Sequence, residues 1–153
     1  MLNLTLIAIG KIKDKNLLAI SEEYLKRIKP FARLELLELK ASAFNDGTKE
    51  KAKKEEASRI EEALEKRIGA KIFLLAEEGE ELESVAFAKS LEKINGPIIL
   101  VIAGALGWDK DLRKKYPKIS LSKLTMPHEL ARIMLLEQLY RSALILSGKE
   151  YHY

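Results

Sequence analysis

Two side chains that often carry protein chemistry are absent or scarce in this sequence. It contains no cysteine, which excludes disulfide bonds, thiolate zinc sites and cysteine nucleophiles. It contains only two histidines, His128 and His152, so we do not expect a histidine-rich metal site within one chain. We therefore predict a protein that works without a metal ion.

Long hydrophobic segments are missing as well. The longest apolar run covers residues 97–108, which is shorter than the ~18 residues needed to span a bilayer. The apolar stretch 1–9 lacks the basic region and cleavage site of a signal peptide, so it predicts a β-strand. We expect a cytoplasmic protein that makes no membrane contact.

The usual phosphate-binding and hydrolase motifs cannot be found either. The sequence has no G-x-G-x-x-G, no GxxxxGK[ST] and no G-x-S-x-G segment. A nucleotide-like ligand of this protein should therefore be one without phosphates. S-adenosylmethionine is a ligand of this kind. Its adenosine needs an apolar slot with backbone hydrogen bonds, and its sulfonium is a cation.

The residues that are present favour one domain, 1–153, with a packed core. Hydrophobic residues make up 47% of the chain, and the net charge of +4 is compatible with a nucleic-acid partner. Strand-like and helical patterns alternate, which predicts an α/β fold with a mainly parallel sheet flanked by helices. The predicted strands are 2–9, 33–40, 71–76, 97–102 and 119–121, and the predicted helices are 16–29, 48–68, 84–95, 109–116 and 127–147. Between them we predict an acidic loop at 77–81 and a helix N-cap at Ser84.

The candidate site lies where the predicted strands end, because parallel sheets bind ligands beyond the carboxyl ends of their strands. Those ends are Leu75-Ala76, Ala103-Gly104 and Leu121-Ser122. The last helix follows them and is apolar on more than one side. It should therefore pack on the sheet and also on something else, such as a second subunit.

Three stretches of the carboxyl-terminal third match a known family. They are LSKLTMPHELAR from Leu121, LEQLYRS from Leu136, and the closing Tyr151-His152. They resemble the ribosomal RNA large subunit methyltransferase H family, which are SPOUT-class enzymes. Members of that family use S-adenosylmethionine to methylate N3 of a pseudouridine in large-subunit rRNA. The resemblance covers nearly the whole chain, and the amino-terminal half supports it less specifically.

The resemblance implies a SPOUT-type fold with a C-terminal trefoil knot, a homodimer, and ribosomal RNA or the assembled ribosome as partner. It assigns S-adenosyl-L-methionine to a pocket formed by Leu75, Gly104, Leu121, Ser122, Lys123, Leu124, Thr125 and Met126. We assign substrate binding to His128, Arg132 and Tyr153. We assign catalysis to Tyr151 and His152, with His152 as the proton acceptor and residues 151–153 closing over the pocket of one subunit or the other.

Two departures from the family pattern leave other functions open. Ala103 stands where the family usually has glycine, and Tyr153 stands where it usually has a basic residue. The alternatives are a non-catalytic RNA-binding dimer of the same fold and a SPOUT methyltransferase with a different RNA target. Candidate RNA contacts, which could equally be solvated surface, are Lys11, Lys13, Lys15, Lys110, Arg113, Lys114, Lys115 and Lys118.

Overall fold

The computed structural model describes residues 1–151, and His152 and Tyr153 lie outside the described residues. The strands are β1 (Leu2–Ile9), β2 (Ala32–Leu39), β3 (Lys71–Glu81), β4 (Ile98–Ile102) and β5 (Lys118–Ser120). The helices are α1 (Lys15–Ile28), α2 (Lys49–Glu65), α3 (Ser84–Glu92), α4 (Lys110–Lys115) and α5 (His128–Leu146). Strands and helices alternate as predicted over much of the chain.

The strands form one sheet in the order β2-β1-β4-β3-β5, and every pairing in it is parallel. The central strand β4 is continuously apolar and its neighbour β1 is largely so, because helices cover both faces of the sheet. Helices α1, α3 and α5 pack on one face, and α2 and α4 pack on the other. The prediction of an α/β fold with a parallel sheet is confirmed.

Two local predictions in the middle of the chain are wrong. The acidic segment 77–81 is not a loop, because β3 continues to Glu81 and its last residues pair with β5. Ser84 is not an N-cap, since Glu83 occupies that position. The Ser84 hydroxyl instead donates a hydrogen bond of 2.8 Å to Oε1 of Gln138 on α5. In both places a partner distant in sequence outweighs the local preference.

The last helix has its apolar surface covered from three directions. It lies on the sheet between α1 and α3, and side chains such as Leu135 and Leu139 are completely buried there. The expectation that α5 packs on more than the sheet is therefore confirmed within a single chain. Two of its apolar side chains, Leu130 and Met134, remain 41% exposed.

Candidate functional site

A cavity of about 530 Å³ opens at the carboxyl edge of the sheet. Its walls are the middle of β3, the loop that follows β4, the loop that follows β5 and the first turn of α5. Most of the lining is apolar side chain or backbone, and the titratable side chains among the described lining residues are Glu77, Arg113 and His128. The cavity has the position that a parallel sheet gives to a ligand site.

A tryptophan fixes the wall formed by the loop after β4. The indole nitrogen Nε1 of Trp108 donates a hydrogen bond of 2.9 Å to the carbonyl oxygen of Leu75 on β3. In the same loop the backbone N–H of Gly107 donates to the carbonyl of Gly104 at 3.1 Å. Gly107 has a φ of +77°, a conformation that favours glycine. These two hydrogen bonds thus fix the conformation of the loop after β4 and attach it to β3.

Gly104 is a glycine because of the strand behind it. A Cβ at this position would lie 2.8 Å from Cγ2 of Ile9, a fully packed side chain of β1. It would also lie 3.4 Å from Oε1 of Glu56 on α2. The backbone of Gly104 lines the cavity, but the space that its missing side chain leaves open faces β1 and α2.

The loop after β5 contributes most of the predicted pocket residues. Its shape is set by two serines: the hydroxyl of Ser120 donates to the carbonyl of Ser122 at 2.9 Å, and Oγ of Ser122 accepts from the backbone N–H of Leu124 at 3.0 Å. Leu124 lines the cavity and is nevertheless 75% exposed. Lys123 is exposed and is not among the lining residues, so the structure does not place it in the pocket.

Arg113, a cationic side chain that lines the cavity, is paired with a carboxylate. Arg113 donates hydrogen bonds from Nε and Nη2 to the two carboxylate oxygens of Glu78, the second at 2.5 Å. These bonds hold the pKa of Glu78 at about 2, well below its usual range. Lys115 is likewise paired, with Glu61 at 3.0 Å. Two of the basic residues predicted around α4 are therefore already bound to carboxylates.

Arg132 differs from the expectation for a substrate-binding residue, because the folded chain buries it. It is 1% exposed, and its Nη1 donates to Oε2 of Glu38 at 2.6 Å while Nη2 donates to the carbonyl of Gly10 at 2.8 Å. The guanidinium thus ties α5 to the ends of β1 and β2. These contacts make Arg132 a structural link within the fold, in contrast to the predicted role in substrate binding.

Tyr151 is held against α5, away from the cavity of its own chain. The carbonyl of Tyr151 accepts a hydrogen bond of 3.1 Å from Nη1 of Arg141, and its ring lies 4.9 Å below that guanidinium. Arg141 is itself held by Glu137 at 2.5 Å. Glu137 and Arg141 follow His128, at the cavity, by about 14 and 20 Å along the helix.

The structure thus brings part of the predicted site together. Leu75, Gly104 and His128 line one cavity with Leu121, Ser122, Leu124, Thr125 and Met126. Arg132, Lys123 and Tyr151 lie elsewhere, and the predictions for His152 and Tyr153 concern residues outside the described range. Sequence reasoning missed Trp108, although it is the single tryptophan and follows a glycine-containing loop.

Two negative findings apply to residues 1–151. None of their helices is long and apolar enough to cross a membrane. Within the same range, no three histidine or acidic side chains are grouped so that they could hold a metal ion.

Comparisons with known proteins identify the family. A family model described as "Predicted SPOUT methyltransferase" matches residues 2–152. The chain belongs to the SPOUT methyltransferase family. It is 36% identical to "Ribosomal RNA large subunit methyltransferase H" of Kosmotoga olearia, with 99% of this chain and 100% of the relative covered. It is 38% identical to the protein of that name in Acetivibrio thermocellus, with 99% of each chain covered.

A solved structure supports the family fold. The chain is similar to a probable methylase family protein from Haemophilus influenzae, with a TM-score of 0.58 and 14% sequence identity. The match covers 99% of this chain and 72% of the other. The likeness concerns the fold, and the SPOUT assignment identifies the protein as a methyltransferase.

Proposed function

We propose that this SPOUT methyltransferase transfers the methyl group of S-adenosylmethionine to N3 of a pseudouridine in large-subunit ribosomal RNA. The observation that carries the proposal is the full-length similarity to relatives named ribosomal RNA large subunit methyltransferase H. The cavity at the carboxyl edge of the sheet gives that activity a place in the fold.

The lining of the cavity supports S-adenosylmethionine as the ligand. Its walls are mainly apolar, and no glycine-rich phosphate cradle borders it. Bound there, S-adenosylmethionine supplies an electrophilic methyl group on a sulfonium. The residues that would hold it are Leu75, Gly104, Leu121, Ser122, Leu124, Thr125 and Met126. The hydrogen bond between Trp108 and Leu75 keeps the cavity wall after β4 in place. A fixed wall helps to align the methyl donor with the acceptor nucleotide, and such alignment can contribute much of the rate enhancement of a transfer reaction.

The acceptor nitrogen must lose a proton for the methyl group to be attached. We assign this proton to His152, since an imidazole titrates near pH ~6.5 and suits general base catalysis at neutral pH. His128, at the start of α5 and in the cavity lining, is assigned to contact with the nucleotide. Tyr151 and Tyr153, on either side of His152, complete the closing segment.

The position of Tyr151 favours a homodimer with shared sites. Tyr151 is bound to Arg141, about 20 Å along α5 from His128, whereas two further residues extend at most about 7 Å. Residues 151–153 therefore serve the cavity of a second copy in this proposal. The exposed apolar side chains Leu130 and Met134 on α5 supply contact area for that copy.

A trefoil knot is the further proposal about the fold. Ile119 of β5 pairs with Leu75 and again with Glu80, so the register of β3 shifts between these two residues. Gly79 lies so close to β5 that a Cβ there would collide with the backbone of Ile119. This close approach of β3 and β5 is the support for the proposed knot, in which one segment would pass through a loop of another.

Nucleoside mass spectrometry of rRNA from a deletion strain tests the function. We expect loss of one N3-methylated pseudouridine and its restoration when purified protein and S-adenosylmethionine are added to ribosomes from that strain. Calorimetry with S-adenosylmethionine separates the alternatives. Absence of binding would favour a non-catalytic RNA-binding dimer, and loss of a different methylated nucleoside would identify another RNA target.

A further inference from the structure

An exposed aromatic side chain stands on the same edge of the sheet as the cavity. Phe44, in the loop between β2 and α2, is 47% exposed. We propose that residues 40–48, which we call the Phe44 loop, dock RNA by stacking Phe44 on an unpaired base, while lysines of the neighbouring loop contact phosphates. This inference rests on the proposed function, since it names the surface through which the same site receives its RNA.

The beginning of the Phe44 loop is rigidly held by α2. The backbone N–H of Ser42 donates to Oε2 of Glu56 at 3.0 Å, and its hydroxyl donates to Oε2 of Glu55 at 2.8 Å. Nη1 of Arg59 donates to Oγ of Ser42 at 2.7 Å and to the carbonyl of Lys40 at 2.8 Å. Ser42 is buried by these contacts, whereas Phe44, two residues later, projects from the anchored backbone.

The end of the Phe44 loop is a tight turn. The backbone N–H of Asn45 donates to Oγ1 of Thr48 at 2.9 Å, and that of Gly47 donates to Oδ1 of Asn45 at 2.9 Å. Phe44 is therefore presented from a loop fixed at both ends. Because the backbone is already fixed, stacking of a flat partner on the ring costs less conformational entropy than it would on a flexible loop.

The Phe44 loop lies near the cavity. β2 is the neighbour of β1, and β1 is the neighbour of β4, so the end of β2 is about 10 Å from the end of β4. Glu56 occupies the space between them. One of its oxygens binds the Phe44 loop at Ser42, and the other faces Gly104 of the cavity wall. RNA that contacts Phe44 can therefore reach the cavity with a nearby nucleotide.

Exposed lysines follow β1 and β2 at the edge of the sheet that carries the Phe44 loop. Lys11, Lys13 and Lys15 follow β1, Lys40 follows β2, and all four are exposed. None of them takes part in an ion pair within residues 1–151. The two loops are joined by the hydrogen bond from the N–H of Gly10 to the carbonyl of Leu39, at 2.7 Å.

The nearby carboxylates bind other groups, so none of them forms an ion pair with these lysines within residues 1–151. Asp14 caps α1, and Glu129 accepts from the backbone N–H groups of Lys13 and Asp14 at 3.0 and 3.2 Å. Glu38 binds Arg132, and Asp46 lies 3.3 Å from Lys49. Free ammonium groups beside an exposed ring match phosphates beside an unstacked base, which is the usual chemistry of single-stranded RNA recognition.

The first test replaces the ring. Phe44→Ala should weaken binding to large-subunit rRNA by about 5- to 160-fold, the range found when a stacking side chain is removed. Phe44→Trp should retain binding, and affinity for S-adenosylmethionine in calorimetry should not change for either variant. Ile68→Ala is the matched control, because Ile68 is 96% exposed on the segment that precedes β3, at the opposite edge of the sheet.

The second test replaces the charges. The double variant Lys11→Ala/Lys13→Ala should reduce the slope of log affinity against log salt by about 1.4 to 1.8, since each phosphate contact contributes about 0.7 to 0.9. The control, Lys66→Ala/Lys93→Ala, removes two exposed lysines from the opposite edge and should leave the slope unchanged.

Three outcomes would overturn the inference. The first is a Phe44→Ala variant that binds rRNA like the wild type. The second is a change in oligomeric state of that variant in light scattering, which would make Phe44 a subunit contact. The third is weaker binding to ribosomes with unchanged binding to naked rRNA, which would indicate a protein partner. If the wild type binds rRNA through Phe44 but transfers no methyl group to either rRNA or ribosomes, the proposed function fails and the docking surface remains.

Discussion

Replacing Arg132 by methionine should destabilise the protein strongly and leave the chemistry of the cavity intact. The variant removes a buried guanidinium but keeps a long side chain that fills similar space. It leaves the carboxylate of Glu38 without its cation and the carbonyl of Gly10 without its donor. Both groups end neighbouring strands, so the damage falls on the junction between α5 and the sheet.

The expected loss follows from how deeply each partner is buried. Removing one member of a buried ion pair costs about 3–5 kcal/mol. The side chain of Arg132 is only 2% exposed, but that of Glu38 is 29% exposed, and water can partly solvate the carboxylate that remains. We therefore take the lower end, about 3 kcal/mol. For a chain of this size that corresponds to a melting temperature lower by about 6–12 °C.

Urea unfolding at fixed protomer concentration measures the loss of stability. Arg27→Met is the matched control, because Arg27 and Glu23 form an ion pair that is about half exposed on both sides, 48% and 50%. Such a surface pair contributes at most about 1 kcal/mol. The reasoning is refuted if Arg132→Met unfolds like the control and instead binds rRNA more weakly, since that would make Arg132 a substrate contact.

Three further variants probe the cavity and its supports. Burial raises the pKa of Glu56 in the folded protein, so the wild type loses stability as the pH rises from the ordinary carboxyl range through that raised pKa. Glu56→Gln removes this titrating group and should therefore flatten the pH dependence of the free energy of unfolding. An unchanged slope in urea titrations would contradict this. Trp108→Phe loses the bond to Leu75, and calorimetry should report S-adenosylmethionine binding weaker by about 5-fold. Gly104→Ala crowds Ile9 and should lower the free energy of unfolding in urea by about 1–3 kcal/mol. Wild-type stability of this variant would show that β1 shifts to accommodate the methyl group.

The sequence predicts the sheet well wherever local pattern and burial agree. β4 is a run of aliphatic residues and β1 is mostly aliphatic, which is the signature of strands covered on both faces. The end of β3 could not be predicted in this way. Its residues Glu80 and Glu81 are acidic, and they belong to a strand only because β5, almost forty positions later, pairs with them. Local hydrophobicity carries no information about such a pairing.

The residues of the candidate site likewise divide into those that the sequence could place and those that only the fold reveals. Leu75, Gly104 and His128 could be placed together because strand ends meet at one edge of a parallel sheet and because the family resemblance covers them. Arg132 could not, since a charged residue on a helix is ordinarily exposed. Its burial depends on a carboxylate of β2 that lies 94 positions earlier in the chain. The charge of a residue gives its chemistry, and only the fold decides whether that chemistry faces a ligand.

Helix α5 connects the parts of the proposed active site. Its first residue, His128, borders the cavity, and Arg132 one turn later fixes the helix to the sheet. Further along, Arg141 holds Tyr151. The helical rise places Arg141, which binds Tyr151, about 20 Å along α5 from His128. Under the proposed function, residues 151–153 therefore serve the cavity of another copy. In the proposed homodimer, each active site thus depends on two chains.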